Sequence, residues 1–304
     1  MKLWSIQKIT LTLSVLMLGT LAAAQTYPTK PVSVVVPYAV GGTTDIVARL
    51  VSQELGKTLN GVVVVENRAG AGGVVGWSSV AKATPDGYSV LTIESSYAIS
   101  MALGVKMPFD PQTAFKQVAT ATSVPYVLVV NPSVSANTVQ ELIALVKKEP
   151  GKFFYGSGGN GTNTHLAAEL FNAQAGIKIA HVPYKGAGAV LNDLIGGQIQ
   201  VLVTALPTAL PHIKSGKLKA LMVTDEVRSP VLPEVPSAKE SGLPGMITKF
   251  WVGFAVPAQT PDALVEQLSK AVIQSVNVPE IKNRIVELGL TVEAKGPAYA
   301  TKLL

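Results

Sequence analysis

The sequence predicts an α/β fold in two lobes, each a mainly parallel sheet flanked by helices. Three observations carry that expectation. Short β-branched runs alternate with amphipathic stretches of helix length along almost the whole chain. At 304 residues and 48% hydrophobic content the chain exceeds one typical domain and can bury two cores. Two segments also join neighbouring blocks without the helix that the alternation demands. Strand and helix alternating at this spacing place the strands centrally, with helices on both faces.

Strand runs fall at 32–36, 62–66, 89–93, 118–121, 127–130, 153–156, 178–182, 201–203, 218–223 and 250–256. Helical runs fall at 44–59, 73–83, 139–149, 163–175, 188–196, 206–215, 261–275 and 279–288. Thr138 stands before an apolar-periodic run, and Thr260-Pro261 sets a hydroxyl ahead of a proline, both helix-start signals. Gly151, Gly176 and Gly289 sit where helices should end.

The two exceptional connectors are 119–125, between two strand runs, and 229–245, which carries Pro230, Pro233, Pro236 and Pro244. The chain is therefore expected to leave one lobe near Pro125 and return near Ile247. This makes lobe I discontinuous (25–124 plus 248–304) and lobe II continuous (125–247). Two crossings form a hinge, and a hinge leaves a cleft between the lobes.

Residues 1–24 read as a secretory signal peptide. Lys2 and Lys8 precede an apolar run from Ile9 to Leu21, and Ala22-Ala23-Ala24 supplies the small residues a signal peptidase reads, with cleavage expected after Ala24. Charges, Pro and Gly interrupt every later apolar run, so the mature chain reads as exported and soluble. The formal charge of +6 includes those two lysines, and no basic run or aromatic-basic stripe follows, so nucleic acid is not an expected partner. With no cysteine, lipoprotein anchoring, disulfides, thiolate metal sites and cysteine nucleophiles are excluded.

In open parallel sheets ligands bind beyond the carboxyl ends of strands, where helix N-termini point. Four strand-to-helix turns here are glycine-rich: 37–44, 67–73, 156–164 and 183–188. Each offers unpaired backbone N–H groups at a helix start, with Thr, Ser or Asn beside them, which is an anion site made from main chain. A helix N-terminus favours an anion by about 0.3–1 kcal/mol, and a hydrogen bond to a charged group adds ~1.5–3 kcal/mol. Two such turns facing each other approach the roughly 8 kcal/mol of micromolar binding. In the first turn, Gly42 is expected to occupy a positive-φ position.

Other chemistries lack their parts. Gly156-Ser157-Gly158-Gly159-Asn160-Gly161 fits G-x-G-x-x-G, yet no acid lies about 20 residues on to hold a ribose, and no Lys follows Gly161 for a P-loop. Ser157 has Tyr155 where a nucleophile elbow needs glycine. His165, His181 and His212 have no second ligand at metal spacing, and each reads as a helix-start or strand-end residue making one hydrogen bond. Asp45 and Arg49 read as a pair one turn apart, and Glu66, Glu94 and Asp193 show no acid–base pairing. No catalytic constellation, metal or cofactor is expected.

These turns carry a resemblance. Pro37-Tyr38-Ala39-Val40-Gly41-Gly42-Thr43-Thr44-Asp45, Glu66-Asn67-Arg68-Ala69-Gly70, Gly156-Ser157-Gly158-Gly159-Asn160-Gly161-Thr162-Asn163-Thr164-His165 and Val182-Pro183-Tyr184-Lys185-Gly186 are all present. With 85–88, 210–218 and 251–257 they make the chain resemble Bug-type substrate-binding proteins of the tripartite tricarboxylate transporter family, over nearly all of its mature length. The resemblance implies a type II periplasmic-binding-protein (Venus flytrap) fold, a monomer, and capture of a small carboxylate for integral-membrane permease subunits. A sensory subunit reporting to a receptor is the alternative implied use, and an exported hydrolase is disfavoured.

By resemblance, the expected ligand-binding residues are Tyr38, Gly42, Thr43, Thr44 and Asp45 in lobe I, with Gly158, Gly161, Thr162 and Thr164 in lobe II. Ser95, Ser96 and Tyr97 follow the third strand and are expected to line the cleft. Two departures from the family stand out. Thr204-Ala205 replaces an Asp followed by Asn or Ser, which implies a di- or tricarboxylate or an aromatic acid rather than a ligand with an amino group. Family chains also continue with one more helix beyond Tyr299, so the expectation here is a fragment or a shortened last helix of lobe I.

Overall fold

A computed structural model describes residues 27–304, so the expected signal peptide and its cleavage site lie outside the described residues. Strands β1 (Val32–Val36), β2 (Val63–Asn67) and β3 (Ser89–Glu94) run parallel in the order β2-β1-β3. The valines of β1 are almost wholly buried, as expected for a central strand covered on both faces. Helices α1 (Thr43–Thr58) and α2 (Val74–Ala81) return the chain between these strands, and α3 (Ser95–Ala102) follows β3 directly.

The next strand sets the architecture. β4 runs unbroken for 16 residues, Phe115–Val130, through the segment expected to be a connector. Its first part pairs with β9 (Lys249–Pro257) from Phe115↔Pro257 to Pro125↔Lys249. Its last part pairs with β7 (Val201–Ala205) and β8 (Lys219–Val223). One strand thus serves two half-sheets, so the order along the main path is β2-β1-β3-β9-β4-β7-β5-β6, with β8 paired to β4 off that path. Register shifts at Gln117/Ala119 and Thr120/Thr122 bend it on the way.

The second half repeats the plan of the first. β5 (Phe154–Ser157) lies parallel to β6 (Ala180–Pro183) and β7, with helices α4 (Val139–Lys148), α5 (Asn163–Ala175), α6 (Ala187–Ile195) and α7 (Leu206–Lys214) around them. Each half therefore has a three-stranded parallel portion, and β4 and β9 add antiparallel pairings where they cross. After β9 the chain forms α8 (Asp262–Asn277), α9 (Pro279–Glu287), β10 (Thr291–Lys295) and α10 (Pro297–Lys302); β10 pairs with β4. The proline-rich excursion folds back on the second half: Val223 bridges Ser237, and Arg228 pairs with Glu240 at 2.9 Å. No helix among the described residues is long and apolar enough to cross a membrane.

Candidate ligand cleft

Four helix starts meet between the two halves. They are α1 at Gly42–Thr44, α5 at Thr162–Thr164, α6 at Ala187 and α7 at Ala205–Thr208, and all of them line one cavity of about 40 Å³. None of the four has a side-chain cap, so their first N–H groups are unspent by the usual local acceptor, apart from Asn163 N, which donates to Ser96 Oγ at 2.9 Å, and Pro207, which has none. A helix shorter of donors would offer less: α3, the fifth helix nearby, is capped by the Glu94 carboxylate through Ser96 N at 2.7 Å. The convergence creates a positive potential without a cation, because no Lys or Arg among the described residues lines the cavity.

The one charged residue in the wall already has its partners. The Asp45 carboxylate accepts from Gly41 N (3.0 Å), from Arg49 Nε (3.0 Å) and from Asn67 Nδ2 (2.8 Å), and it is buried. The expected Asp45–Arg49 pair therefore exists, and it holds the first turn from beneath. The positive φ expected at Gly42 is found one residue earlier. Gly41 has φ +89, whereas Gly42 is extended at φ −76 as the N-cap of α1.

The second-half turn is tied by neutral groups. Thr164 Oγ1 accepts from Gly158 N at 2.8 Å, Thr162 Oγ1 donates to Gly159 O at 2.7 Å, and His165 Nδ1 accepts from Gly161 N at 3.1 Å. Gly161 thus spends its N–H inside the turn rather than toward the cavity, which it does not line. His165 and His181 stack with ring centroids 4.1 Å apart, and His181 Nε2 lies 2.6 Å from Ser157 Oγ. His165 at the start of α5 and His181 in β6 each make the one side-chain hydrogen bond expected of them, and the stack between them is the addition. Ser157 is fully buried, so this contact braces the turn and does not present a nucleophile to the cavity. Burial, then the neighbouring His165, pushes His181 down to about 4.

Of the residues after the third strand, only Ser96 reaches the cavity. Ser95 faces a neighbouring crevice with Tyr126. Tyr97 turns away: its ring packs edge-on against Trp77 at 5.1 Å, and its hydroxyl donates to Pro111 O at 2.6 Å. An aromatic ligand cannot stack on it in the cleft. A larger concavity of about 720 Å³ borders Tyr97, but it shares no residue with the cleft and belongs to the first half alone.

Thr204 lines the cavity with its side chain fully buried, and its Oγ1 has no hydrogen-bond partner. Three further wall residues escape sequence reasoning. Asn163 opens α5, Thr208 closes a 2.8 Å contact to Thr43 Oγ1 across the cleft, and Phe250 supplies an apolar patch. The Pro207-Thr208 step in a helix's first turn is the available signal for Thr208.

The remaining two glycine turns seal the halves together. Ala39 N donates to Lys185 O at 3.0 Å. A Cβ at Gly188 would collide with Val40 O and stand 2.8 Å from Gly42 N, so only glycine lets the two backbones meet. Gly72 approaches the other half in the same way, since a Cβ there would stand 2.8 Å from Asn160 O.

The sequence at 47–302 matches the family model for the tripartite tricarboxylate transporter family receptor. The chain belongs to that family. It is 34% identical over 271 residues to protein BugT of Bordetella pertussis, covering 88% of this chain and 83% of that protein. Among solved structures, MatC from Rhodopseudomonas palustris with bound malate is 32% identical with a TM-score of 0.87, covering 91% of this chain and 96% of MatC. Rpa4515 of R. palustris with adipate is 31% identical with a TM-score of 0.86, covering 91% and 93%. Receptors of this family are periplasmic solute-binding proteins that work with membrane transporter subunits, and the chain shares that role.

Proposed function

We propose that this receptor captures a small dicarboxylate without an amino group in the cleft and hands it to the permease subunits of its own transporter. Lobe I is taken as 25–124 plus 248–304 and lobe II as 125–247. The wall residues Tyr38, Thr43, Thr44, Thr162 and Thr164 serve as ligand contacts, and Thr204 is the discriminating one. The observation that carries the reading is the meeting of four uncapped helix starts around a cavity with no cation. Backbone dipoles balance an anion there, and malate and adipate in two relatives are ligands of that class. A cavity of about 40 Å³ has room for about two or three waters, so a dicarboxylate enters with the halves further apart.

The absence of an amino group follows from charge. An ammonium buried in this wall would need a carboxylate, and Asp45 is spent on Arg49, Asn67 and Gly41. Thr204 offers instead a hydroxyl that nothing in the protein engages. A thermal-shift series with malate, adipate, phthalate and glutamate checks the reading. A true ligand at 100 times its Kd adds about 2.7 kcal/mol of stability. Thr204→Val should weaken that ligand without lowering the unfolding midpoint of the free protein. Tightest binding by glutamate would sink the charge argument.

A further inference from the structure

Glu94 ends β3 and is buried at 1% exposure, at the junction of three cavity walls. Its two oxygens are used differently. Oε2 accepts from Ser96 N and from Asn163 Nδ2, both at 2.7 Å, and Ser95 Oγ stands 3.3 Å away. Oε1 has a single partner, the Tyr38 hydroxyl. The first bond caps α3, the second reaches across the cleft to the residue that opens α5, and the third holds the ring that lines the first turn. Tyr38, Ser96 and Asn163 all line the cavity, so the Glu94 carboxyl lies one side chain behind the place where an anion would sit.

Nothing cationic answers this carboxyl. Among the described residues Glu94 is in no ion pair. The groups facing it are Tyr38 from the first turn, Ser95 and Ser96 from α3, Tyr126 from β4 and Asn163 from α5. The charged side chains that line the cavity and the neighbouring crevice look elsewhere: Asp45 to Arg49, and Lys249 to Asp225 at 3.6 Å. An ionised Glu94 and a bound carboxylate would therefore repel each other across a wall with little water to screen them.

The split of donors gives a way out. The two N–H donors both use Oε2, so a proton added to Oε1 displaces neither of them. We propose that Glu94 and Tyr38 form a proton-reversible pair: with a solvent proton on Oε1, Glu94 donates to Tyr38 Oη, and the Tyr38 hydroxyl turns its own hydrogen into the cavity toward the anion. One proton is taken up and none is lost. The wall changes from a charged acceptor into a neutral donor, and anion capture becomes linked to proton uptake. Burial pushes both groups in the required direction. Desolvation holds the Glu94 carboxyl above the usual carboxylate range and the Tyr38 phenol well above its own. The sign follows: affinity is greatest with Glu94 protonated and falls as pH rises through the Glu94 titration.

This inference rests on the carboxylate reading, and titration calorimetry of the mature chain with malate and adipate separates the two. Measurements run from about pH 5.5 to 8 in buffers of different ionisation enthalpy. The wild type should take up protons on binding, with Kd rising by up to roughly tenfold per pH unit over the titration. Glu94→Gln keeps an acceptor for Ser96 N and Asn163 and places a donor toward Tyr38. It should bind more tightly than the wild type at the upper end of the range and lack the difference in proton uptake, the ligand's own titration being common to both. Tyr38→Phe, which keeps the ring, should bind more weakly and show a shallower pH dependence, since ionised Glu94 still repels the anion, and it carries the test if the Gln variant does not fold. Binding with equal pH slopes in wild type and variants overturns the proton linkage alone. Failure of all three proteins to bind either acid overturns the carboxylate reading, and the linkage with it.

Discussion

The two turns that face each other across the cleft do the same work with different materials. The first-half turn hangs on one buried carboxylate, Asp45, which gathers Gly41 N, Arg49 and Asn67. The second-half turn hangs on hydroxyls and imidazoles, Thr162, Thr164, His165 and Ser157 with His181, and no carboxylate or guanidinium takes part. Backbone amides can be aimed at an anion by either scaffold. The ionic one concentrates its strength in a single residue, whereas the neutral one spreads it over several weaker bonds.

The comparison breaks first if the halves do not need to touch. Gly188→Ala places a methyl carbon against Val40 O, so closure should fail while each half still folds. Overpacking of this kind costs about 1–3 kcal/mol, which is roughly 5- to 150-fold in affinity. Calorimetry with the best ligand of the screen, beside circular dichroism of the free protein, checks this. Wild-type affinity would show that the cleft shuts along another surface.

The difference in materials is tested by removing one anchor from each side. Asp45→Ala leaves Gly41 N without an acceptor and strips Asn67 and Arg49 to their remaining contacts with Tyr38 O and Asn67 Oδ1, and should cost about 3 kcal/mol in urea denaturation. Thr164→Val leaves Gly158 N–H unpaired and removes the 3.2 Å contact to Thr162 Oγ1, and should cost about 1 kcal/mol. Equal losses would mean that the ionic anchor is no stronger than the hydroxyl one.

A smaller effect sharpens the contrast through pH. His181 is held at about 4 in the folded protein, against an ordinary 6.5. Between those values the unfolded chain binds the proton and the folded chain does not. Stability therefore falls as pH drops from about 6.5 to about 4, by at most one proton's slope, and levels off below. Thermal midpoints across that window should decline less in His181→Phe, which keeps the stack on His165 and Tyr155. Parallel declines would remove His181 from the account.

The helix starts were legible because their chemistry is local. Gly-Gly-Thr-Thr at 41–44 and Gly-Thr-Asn-Thr at 161–164 announce uncapped N-termini after strands, and α1 and α5 begin there within one residue of expectation. What stayed hidden was long-range or too short to show a period. Helix α3 spans only eight residues, and its cap is the last residue of the strand before it. Glu94 looked idle because its cross-cleft partner Asn163 is 69 positions away. β4 reads as two strands because Pro125 ordinarily breaks a ladder, yet here it holds register with Lys249. In β10 the positive φ of 47 at Ala294 marks a bulge that spoils alternation.

That shared strand decides how the cleft can move. Loose tethers would let two bodies drift apart freely, whereas β4 and β9 pass between the halves as neighbours in one hydrogen-bonded ladder, with Ser123↔Trp251, Val124↔Phe250 and Pro125↔Lys249 at the crossing. A ladder resists bending in proportion to the angle imposed on it, so the halves are joined by a leaf spring rather than by a joint. Opening to admit a solute stores elastic work in the ribbon, and that work is returned on closing. Any opening between the halves must therefore work against the three residue pairs of the crossing.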